Sequence, residues 1–155
     1  MSKNFGFIKT VDEREEVKSL IQDLRESLYK KEGFGRTFKN KVPLKYSPLI
    51  NSYIKSNLGK EGIEGSLQSL EDYLKSLKEI NITLAFEPSK GVIDKIYDWV
   101  VKNVGEDVIV NMSIQNNILG GAVISFNGRY FDYSLEGKLE KAFSKKREDI
   151  KRLYE

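Results

Sequence analysis

Apolar side chains recur at helical spacing in the first part of the chain. Between Thr10 and Gly33 they fall three or four positions apart and so line one helix face: Val17, Leu20, Ile21, Leu24 and Leu28. Thr10 and Glu13 have the spacing of a capping box, in which the hydroxyl and the carboxylate each satisfy a free amide. Gly33 is suited to the left-handed conformation that ends many helices. The pattern predicts one helix from Thr10 to Gly33.

Helical spacing is lost and then returns before residue 80. The segment from Phe34 to Ser47 is rich in Lys and Arg without a regular apolar pattern, which predicts a linker or an exposed loop. Pro48 suits the first turn of a short helix that continues to about Leu58. A second clear helix is predicted from about Ile63 to Ile80, with these residues on its apolar face: Leu67, Leu70, Leu74 and Leu77.

After residue 80 the apolar period changes from that of a helix to that of a strand. Ile82, Leu84 and Phe86 alternate with other residues, which predicts a strand ended by Pro88. A helix follows from Lys90 to about Val104, capped by Ser89 and stopped by Gly105. Its apolar face holds five residues: Val92, Ile93, Ile96, Tyr97 and Val100. Alternation then predicts a second strand from Val108 to Ile114.

Asn127-Gly128 predicts a β-hairpin, because a type I′ turn needs positive φ at both central residues. The flanking strands are residues 122–126 and 129–133. In a two-residue hairpin, Phe126 faces Arg129, Ile124 faces Phe131 and Ala122 faces Tyr133. The sheet face that these residues share is predicted to be core: Ala122, Ile124, Phe126, Phe131 and Tyr133.

A last helix is predicted directly after the hairpin, with Ser134 as its N-cap and Asp132 near the positive end of its dipole. Gly137 lies inside that helix at a cost of about 1 kcal/mol relative to Ala, so we expect a close packing contact there. The chain is therefore predicted to be α+β, with a helical domain over residues 1–80. A small β-α-β-β-β-α domain over residues 81–155 is predicted to follow.

The sequence has no Cys and no His, which removes thiolate nucleophiles, imidazole bases and the usual zinc ligands together. No phosphate loop is present either, because Gly59-Lys60 and Gly137-Lys138 are followed by Glu61 and Leu139. We predict no catalytic residue, no cofactor and no metal site.

No segment has the roughly 20 apolar residues of a membrane span, and the best one, residues 91–104, contains four charged side chains. The first ten residues lack the apolar stretch of a secretory signal. We expect a cytoplasmic protein that reaches the membrane only through its partners.

A basic stretch runs through residues 30–60, with eight Lys or Arg against a single acid, Glu32. Four aromatic residues are interleaved with it: Phe34, Phe38, Tyr46 and Tyr53. Basic and aromatic side chains together are typical of proteins that bind single-stranded nucleic acid. Nucleic-acid binding is therefore an alternative function, although a solvated basic loop accounts for the same residues.

The hairpin and the last helix together resemble the signature of a known family. These residues carry it, in order and spacing: Leu119, Gly120, Gly121, Ile124, Gly128, Asp132, Ser134, Gly137, Lys138, Leu139 and Glu140. Roughly residues 80–155 resemble the delta (oligomycin-sensitivity-conferring, OSCP) subunit of F-type ATP synthases. The helical half before them is shorter than is usual in that family.

The resemblance implies a non-catalytic stator protein that binds the catalytic head, through alpha-type subunits, and the peripheral stalk, through b-type subunits. It also implies that the C-terminal domain meets the stalk, for which the candidate contact residues are Val123, Tyr130 and Phe143. An E-type stalk subunit of archaeal or vacuolar ATPases is a second alternative. Breaks at Gly33, Pro43 and Pro48 disfavour it, because E-type chains begin with a long coiled coil.

Overall fold

The computed structural model describes residues 8–30, 33–118 and 120–154. Its elements are, in order, α1 (Val11–Ser27), α2 (Gly33–Lys41), α3 (Ser47–Ser76), β1 (Lys78–Leu84), α4 (Lys90–Asn103), β2 (Val108–Ile114), β3 (Ala122–Phe126), β4 (Arg129–Asp132) and α5 (Leu135–Tyr154). The N-terminal part is helical, and a four-stranded mixed sheet with further helices follows. The predicted α+β class is confirmed, as is the order of the C-terminal elements.

The chain divides into two compact units. The first comprises Met1–Lys78 with Val100–Ile109, and the second comprises Glu79–Trp99 with Val110–Glu155. The predicted domains, residues 1–80 and 81–155, divide the chain at one point, whereas these units divide it at three. The two-domain division stays a prediction.

Helix α1 begins as its capping residues predict. The Glu13 backbone N–H donates to Thr10 Oγ1 (3.2 Å), while the Glu13 carboxylate accepts from the backbone N–H of Lys9 (2.8 Å). The helix buries its apolar face and ends at Ser27, where the Leu28 N–H donates to the carbonyl of Arg25. The prediction that it continues to Gly33 was therefore wrong by more than a turn.

The prediction of a linker from Phe34 to Ser47 was also wrong. Residues Gly33–Lys41 form α2, whose Phe34 and Phe38 pack against the core of the first unit and whose Thr37 is buried. These three positions have helical spacing, but the lysines and arginines between them masked the pattern. The basic residues occupy the exposed side of a short amphipathic helix.

Helix α3 joins the two segments that were predicted separately. It begins at Ser47 with Pro48 in its first turn and is interrupted at Gly62, which has φ 69° and ψ −174°. Its second part buries Leu67, Leu70 and Leu74 in the core. The helix ends at Ser76 and not near Ile80, because Leu77 is already extended and the Lys78 N–H donates to the carbonyl of Asp107 (2.9 Å).

The sheet has the strand order β2-β1-β3-β4. Strand β3 is antiparallel to both neighbours, with Ile82 opposite Ile124 and Ile124 opposite Phe131. The side chains of Asn81 and Asn111 are hydrogen-bonded, as are those of Thr83 and Ser113, so β1 and β2 run in the same direction. Strand β1 spans Lys78–Leu84 and so starts and stops earlier than predicted, leaving Phe86 beyond its end.

The hairpin turn has the predicted geometry. Asn127 has φ 49° and Gly128 has φ 74°, as a type I′ turn requires. Phe126 pairs with Arg129 and Ile124 with Phe131, and the Tyr133 N–H donates to the carbonyl of Ala122 (2.9 Å). The predicted register is confirmed.

Candidate docking surface

Four residues of the signature meet where β4 passes into α5. The Ser134 N–H donates to Asp132 Oδ1 (2.8 Å), and Ser134 Oγ accepts from the Gly137 N–H (3.1 Å), so Ser134 is the N-cap of α5. A Cβ at Gly137 would clash with the carboxylate of Asp132, and one at Gly121 (φ 89°) would clash with the carbonyl oxygen of Tyr133. At Gly121 the contact is with backbone and leaves no room for a side chain, whereas at Gly137 a side chain would have to displace the Asp132 carboxylate.

The remaining signature residues have different positions. Gly120 has φ 103° and its carbonyl accepts from the Leu135 N–H (2.8 Å), which ties the chain before β3 to the start of α5. Gly128 lies in the hairpin turn and Leu139 is exposed on α5. Leu119 lies outside the described residues.

The hydrogen bonds from Ser134 also affect the acidity of Asp132. The Ser134 side chain and then its backbone N–H stabilise the carboxylate, and both lower the pKa of Asp132 below its ordinary value. The junction therefore contains an ionised, hydrogen-bonded carboxylate at the N-terminus of a helix, where the helix dipole favours a negative charge. This arrangement stabilises the helix. It does not pair a nucleophile with a general base, so it offers no catalytic chemistry.

An apolar groove of about 400 Å³ opens on the second unit between the sheet and α4. Sheet residues form its floor, α4 forms one wall and Tyr133 lies at the end of β4. The lining residues are Ile82, Leu84, Val92, Lys95, Ile96, Trp99, Ala122, Ile124 and Tyr133. Lys95 is the one charged member of this set, so the groove offers an almost wholly apolar surface to a partner.

The groove corrects the prediction that this face of the hairpin is core. Ala122, Ile124 and Phe126 are only partly buried, whereas Phe131 is 44% exposed and Tyr133 is 53% exposed. On the same face, Ile82 and Leu84 of β1 are buried, whereas Tyr133 remains exposed. Large apolar side chains left open in this way mark interaction surfaces.

The three candidate contact residues do not lie together in the groove. Val123 pairs with Asp132 and Tyr130 with Ser125, and by alternation along the strand both lie on the sheet face opposite to Ile124. Phe143 lies on α5. It is 63% exposed, and Tyr130 is 68% exposed. Tyr130 and Phe143 are therefore accessible, whereas Val123 is partly buried.

The sequence pattern placed Val92 and Ile96 on the apolar face of α4 but did not single out Lys95 and Trp99, which line the groove with them. Trp99 is the only tryptophan in the chain and is 49% exposed, three residues after Ile96 and seven after Val92. Its position continues that apolar row beyond the predicted buried face. A large aromatic residue that lengthens the apolar row of a helix is typical of a contact surface, and Trp99 was the signal of this kind in the sequence.

Comparison with known proteins decides the family. A sequence model of the ATP synthase delta (OSCP) subunit matches residues 1–145 of the chain. The chain belongs to the ATP synthase delta (OSCP) subunit family. The match includes the N-terminal helices, which no motif in the sequence had connected to that family.

Several curated delta subunits are similar to the chain. The ATP synthase subunit delta of Thermosipho africanus is 25% identical over 126 residues, which are 79% of this chain and 68% of that protein. That of Rubrobacter xylanophilus is 32% identical over 102 residues, or 61% of this chain and 56% of that protein. That of Francisella tularensis subsp. novicida is 27% identical over 79 residues, or 51% and 45%. The chain thus spans about half to two thirds of the length of these relatives.

Delta (OSCP) subunits are non-catalytic subunits of the peripheral stalk of F-type ATP synthase, and the chain is a subunit of that kind. The nucleic-acid-binding and E-type alternatives find no support in these matches. No helix among the described residues is long and apolar enough to cross a membrane.

The aromatic residues of the basic stretch have structural positions in this delta-family chain. Tyr46 and Tyr53 are buried in the first unit, and Phe34 and Phe38 pack against its core, so none of them forms an open stacking platform for bases. The Tyr46 hydroxyl donates to Glu16 Oε2 (2.6 Å), and burial together with this bond raises the pKa of Tyr46 to about 12. The basic residues of this stretch that the structure describes are exposed: Lys30, Arg36, Lys39, Lys41, Lys45 and Lys55.

A second, charged cleft of about 690 Å³ lies between α1 and α3 of the first unit. Its carboxylates have partners within the unit: Lys18 is 2.9 Å from Glu15 and Arg25 is 3.3 Å from Glu71. The hydroxyl of Tyr29 donates to Glu64 (2.7 Å). Exposed pairs of this kind contribute little to stability, and we interpret the cleft as a solvated charged face.

Proposed function

We propose that the groove of the second unit is where this stalk subunit holds the b-type subunit of the peripheral stalk, and that the first unit holds the catalytic head through alpha-type subunits. In the groove, the partner would be an amphipathic helix that lays its apolar face between α4 and β3. The complex would lie at the membrane on its cytoplasmic side, held there by other subunits.

The observation that supports the proposal is the open apolar groove with Trp99 and Tyr133 at its margins. A stator must not release its partner while the rotor turns, so the contact has to dissociate slowly. Nanomolar affinity corresponds to about −12 kcal/mol and usually depends on a few aromatic or aliphatic anchors in a desolvated pocket. The groove has the side chains for such anchors.

Two exposed tyrosines allow a direct test of which sheet face binds the stalk. Tyr133 lines the groove and Tyr130 lies on the opposite face, and both are more than half exposed. A calorimetric titration would add a tryptophan-free soluble segment of the b-type stalk subunit to the full chain and give its affinity for either face, while the emission of Trp99 reports binding in the groove. We expect a shift of Trp99 emission to shorter wavelength on binding, because the docked helix removes water from the indole ring.

Tyr133→Ala should weaken this binding about tenfold or more, and Tyr130→Ala should leave it within about twofold. Circular dichroism of both variants would show that each retains its helices and sheet. The opposite result, with Tyr130→Ala weakening binding and Tyr133→Ala leaving it unchanged, would place the stalk on the face that contains Val123 and Tyr130. No binding by the unmodified chain would contradict the proposed stalk contact itself.

A further inference from the structure

Resting on the stalk contact proposed above, we propose that Lys95 selects the docked segment by pairing with a carboxylate side chain of the stalk helix. The partner is then a helix with an apolar stripe and an Asp or Glu beside that stripe. Lys95 acts as a specificity-determining residue in this contact. The apolar residues of the groove supply most of the affinity.

Among the lysines that the structure describes, Lys95 is distinguished by its position in the groove. It is exposed, and among the described residues it is the only charged side chain that lines the groove. Asp98 follows three residues later on α4, yet no ion pair joins the two, nor does one join Lys95 to any other residue that the structure describes. In the first unit, by contrast, Lys18, Lys45 and Lys75 each pair with an acid.

Docking changes the surroundings of the Lys95 ammonium group. In the free protein Lys95 is exposed, so its charge is hydrated, and its side chain lines the same groove as Val92 and Trp99. A helix seated in the groove removes part of that water and replaces it with apolar side chains. An ammonium group that loses water without gaining a partner opposes binding, whereas a carboxylate in reach replaces the lost hydration.

Lys95 therefore selects the charge of the occupant, and the apolar groove selects its shape. A helix with only apolar and neutral residues at the contact leaves the ammonium uncompensated, and one with Lys or Arg there adds repulsion between like charges. A carboxylate adjacent to the stripe satisfies Lys95 and also speeds association at low salt. Neighbouring positions on one helix face lie about 5–6 Å apart, which is within reach of a lysine side chain.

The test measures coupling between Lys95 and single acids of the stalk segment. The probe is the tryptophan-free soluble segment of the b-type subunit, titrated against the full chain with Trp99 emission as the readout. Variants are Lys95→Gln and Lys95→Glu, with Lys90→Gln as the control, because Lys90 is exposed on the same helix but does not line the groove. Each Asp or Glu of the segment is replaced in turn by Asn or Gln.

We expect Lys95→Gln to weaken binding about fivefold to tenfold and Lys95→Glu to weaken it more, with both effects decreasing at high salt. Lys90→Gln should have little effect. One acid-to-amide substitution in the segment should lose its own effect in the Lys95→Gln background, and replacing that acid by Lys should restore binding to Lys95→Glu.

The two proposals fail in different ways. If the segment shifts Trp99 emission but Lys95→Gln binds as tightly as Lys90→Gln, the groove holds the stalk and the role of Lys95 is wrong. Coupling of Lys95 to the C-terminal carboxylate of the segment, instead of a side chain, would also overturn the inference. If the unmodified chain leaves Trp99 emission unchanged, the stalk contact fails and the role of Lys95 fails with it.

Discussion

At the residue scale, the junction between β4 and α5 depends on small side chains that fit against one another. Ser134 caps the helix, Asp132 accepts the Ser134 N–H, and the missing side chain of Gly137 leaves room for that carboxylate. The joint spacing of these residues is what made the family recognisable from the sequence. The residues are recognisable together because each one packs against or hydrogen-bonds another, so a change at one position alters the surroundings of the others.

Replacing Ser134 by Ala should lower the free energy of unfolding by about 1 kcal/mol, because the Gly137 N–H loses its acceptor. Urea denaturation would measure the change. Ser144→Ala is a matched control at an exposed position of the same helix, where the hydroxyl donates to the carbonyl of Glu140, and should change stability by less than about 0.5 kcal/mol. Equal losses in the two variants would show that Ser134 is not the helix cap.

The effect of Gly137→Ala on the free energy of unfolding should depend on the residue at position 132. A methyl group at position 137 displaces the Asp132 carboxylate, so we expect the substitution to destabilise the wild-type chain despite the higher helix propensity of Ala. In an Asp132→Ala background the clash is absent, and Gly137→Ala should stabilise by up to about 1 kcal/mol. The two backgrounds are compared by urea denaturation, and the same effect in both would contradict the packing account.

The lowered pKa of Asp132 predicts a pH dependence of stability. Because the folded pKa lies below the ordinary value of 3.8, the carboxylate stabilises the folded state fully above that value, and this contribution is lost as pH falls through the folded pKa. The difference in unfolding free energy between the wild type and Asp132→Ala should therefore be larger at pH 7 than below about pH 3. A difference that grows on acidification would reverse the assigned sign.

At the element scale, the break in α3 depends on a single glycine. Gly62 has φ 69° and ψ −174°, a backbone conformation that almost only glycine adopts. Gly62→Ala should therefore destabilise the first unit by about 1–3 kcal/mol. Gly59→Ala, three residues earlier and free of neighbours around an added methyl group, should stabilise by up to about 1 kcal/mol. Thermal unfolding of both variants checks the contrast, and a stabilising Gly62→Ala would mean that the helix runs unbroken.

Elements with a strong local pattern were predictable from the sequence. The register of the hairpin follows from Asn127-Gly128, and the start of α1 follows from Thr10 and Glu13. The errors occurred where the local pattern was weak or was overridden by contacts distant in sequence. Helix α2 presents only a few apolar positions among its basic residues, and Leu77 leaves the helical conformation where Lys78 bonds to Asp107.

The groove was not predictable for a related reason. Alternation along β3 and β4 indicates which side chains share a face, but it does not indicate how much of that face a helix covers. Ile82 and Leu84 are buried, whereas Phe131 and Tyr133 on the same face remain about half exposed. Apolar residues that share one sheet face are therefore buried at one end of it and exposed at the other.

At the scale of the whole molecule, the chain is a subunit of the peripheral stalk and performs no chemistry. Its contribution to ATP synthase is mechanical, so its function depends on how tightly it binds its partners and not on catalytic residues. The second unit has an apolar groove, which we propose as the stalk contact, and the first unit presents a charged, predominantly helical surface. Variants that remove a large side chain from the groove, such as Tyr133→Ala, should therefore release the stalk subunit and retain the fold.

The most direct test is an affinity pull-down of the tagged full chain from its native cells at moderate salt, with co-purifying proteins identified by mass spectrometry. The account predicts that ATPase head and stalk subunits are recovered in fixed proportion, and that Tyr133→Ala selectively loses the stalk subunit. The ratio of absorbance at 260 and 280 nm reports any bound nucleic acid. Recovery of RNA or DNA without ATPase subunits would contradict the stalk role.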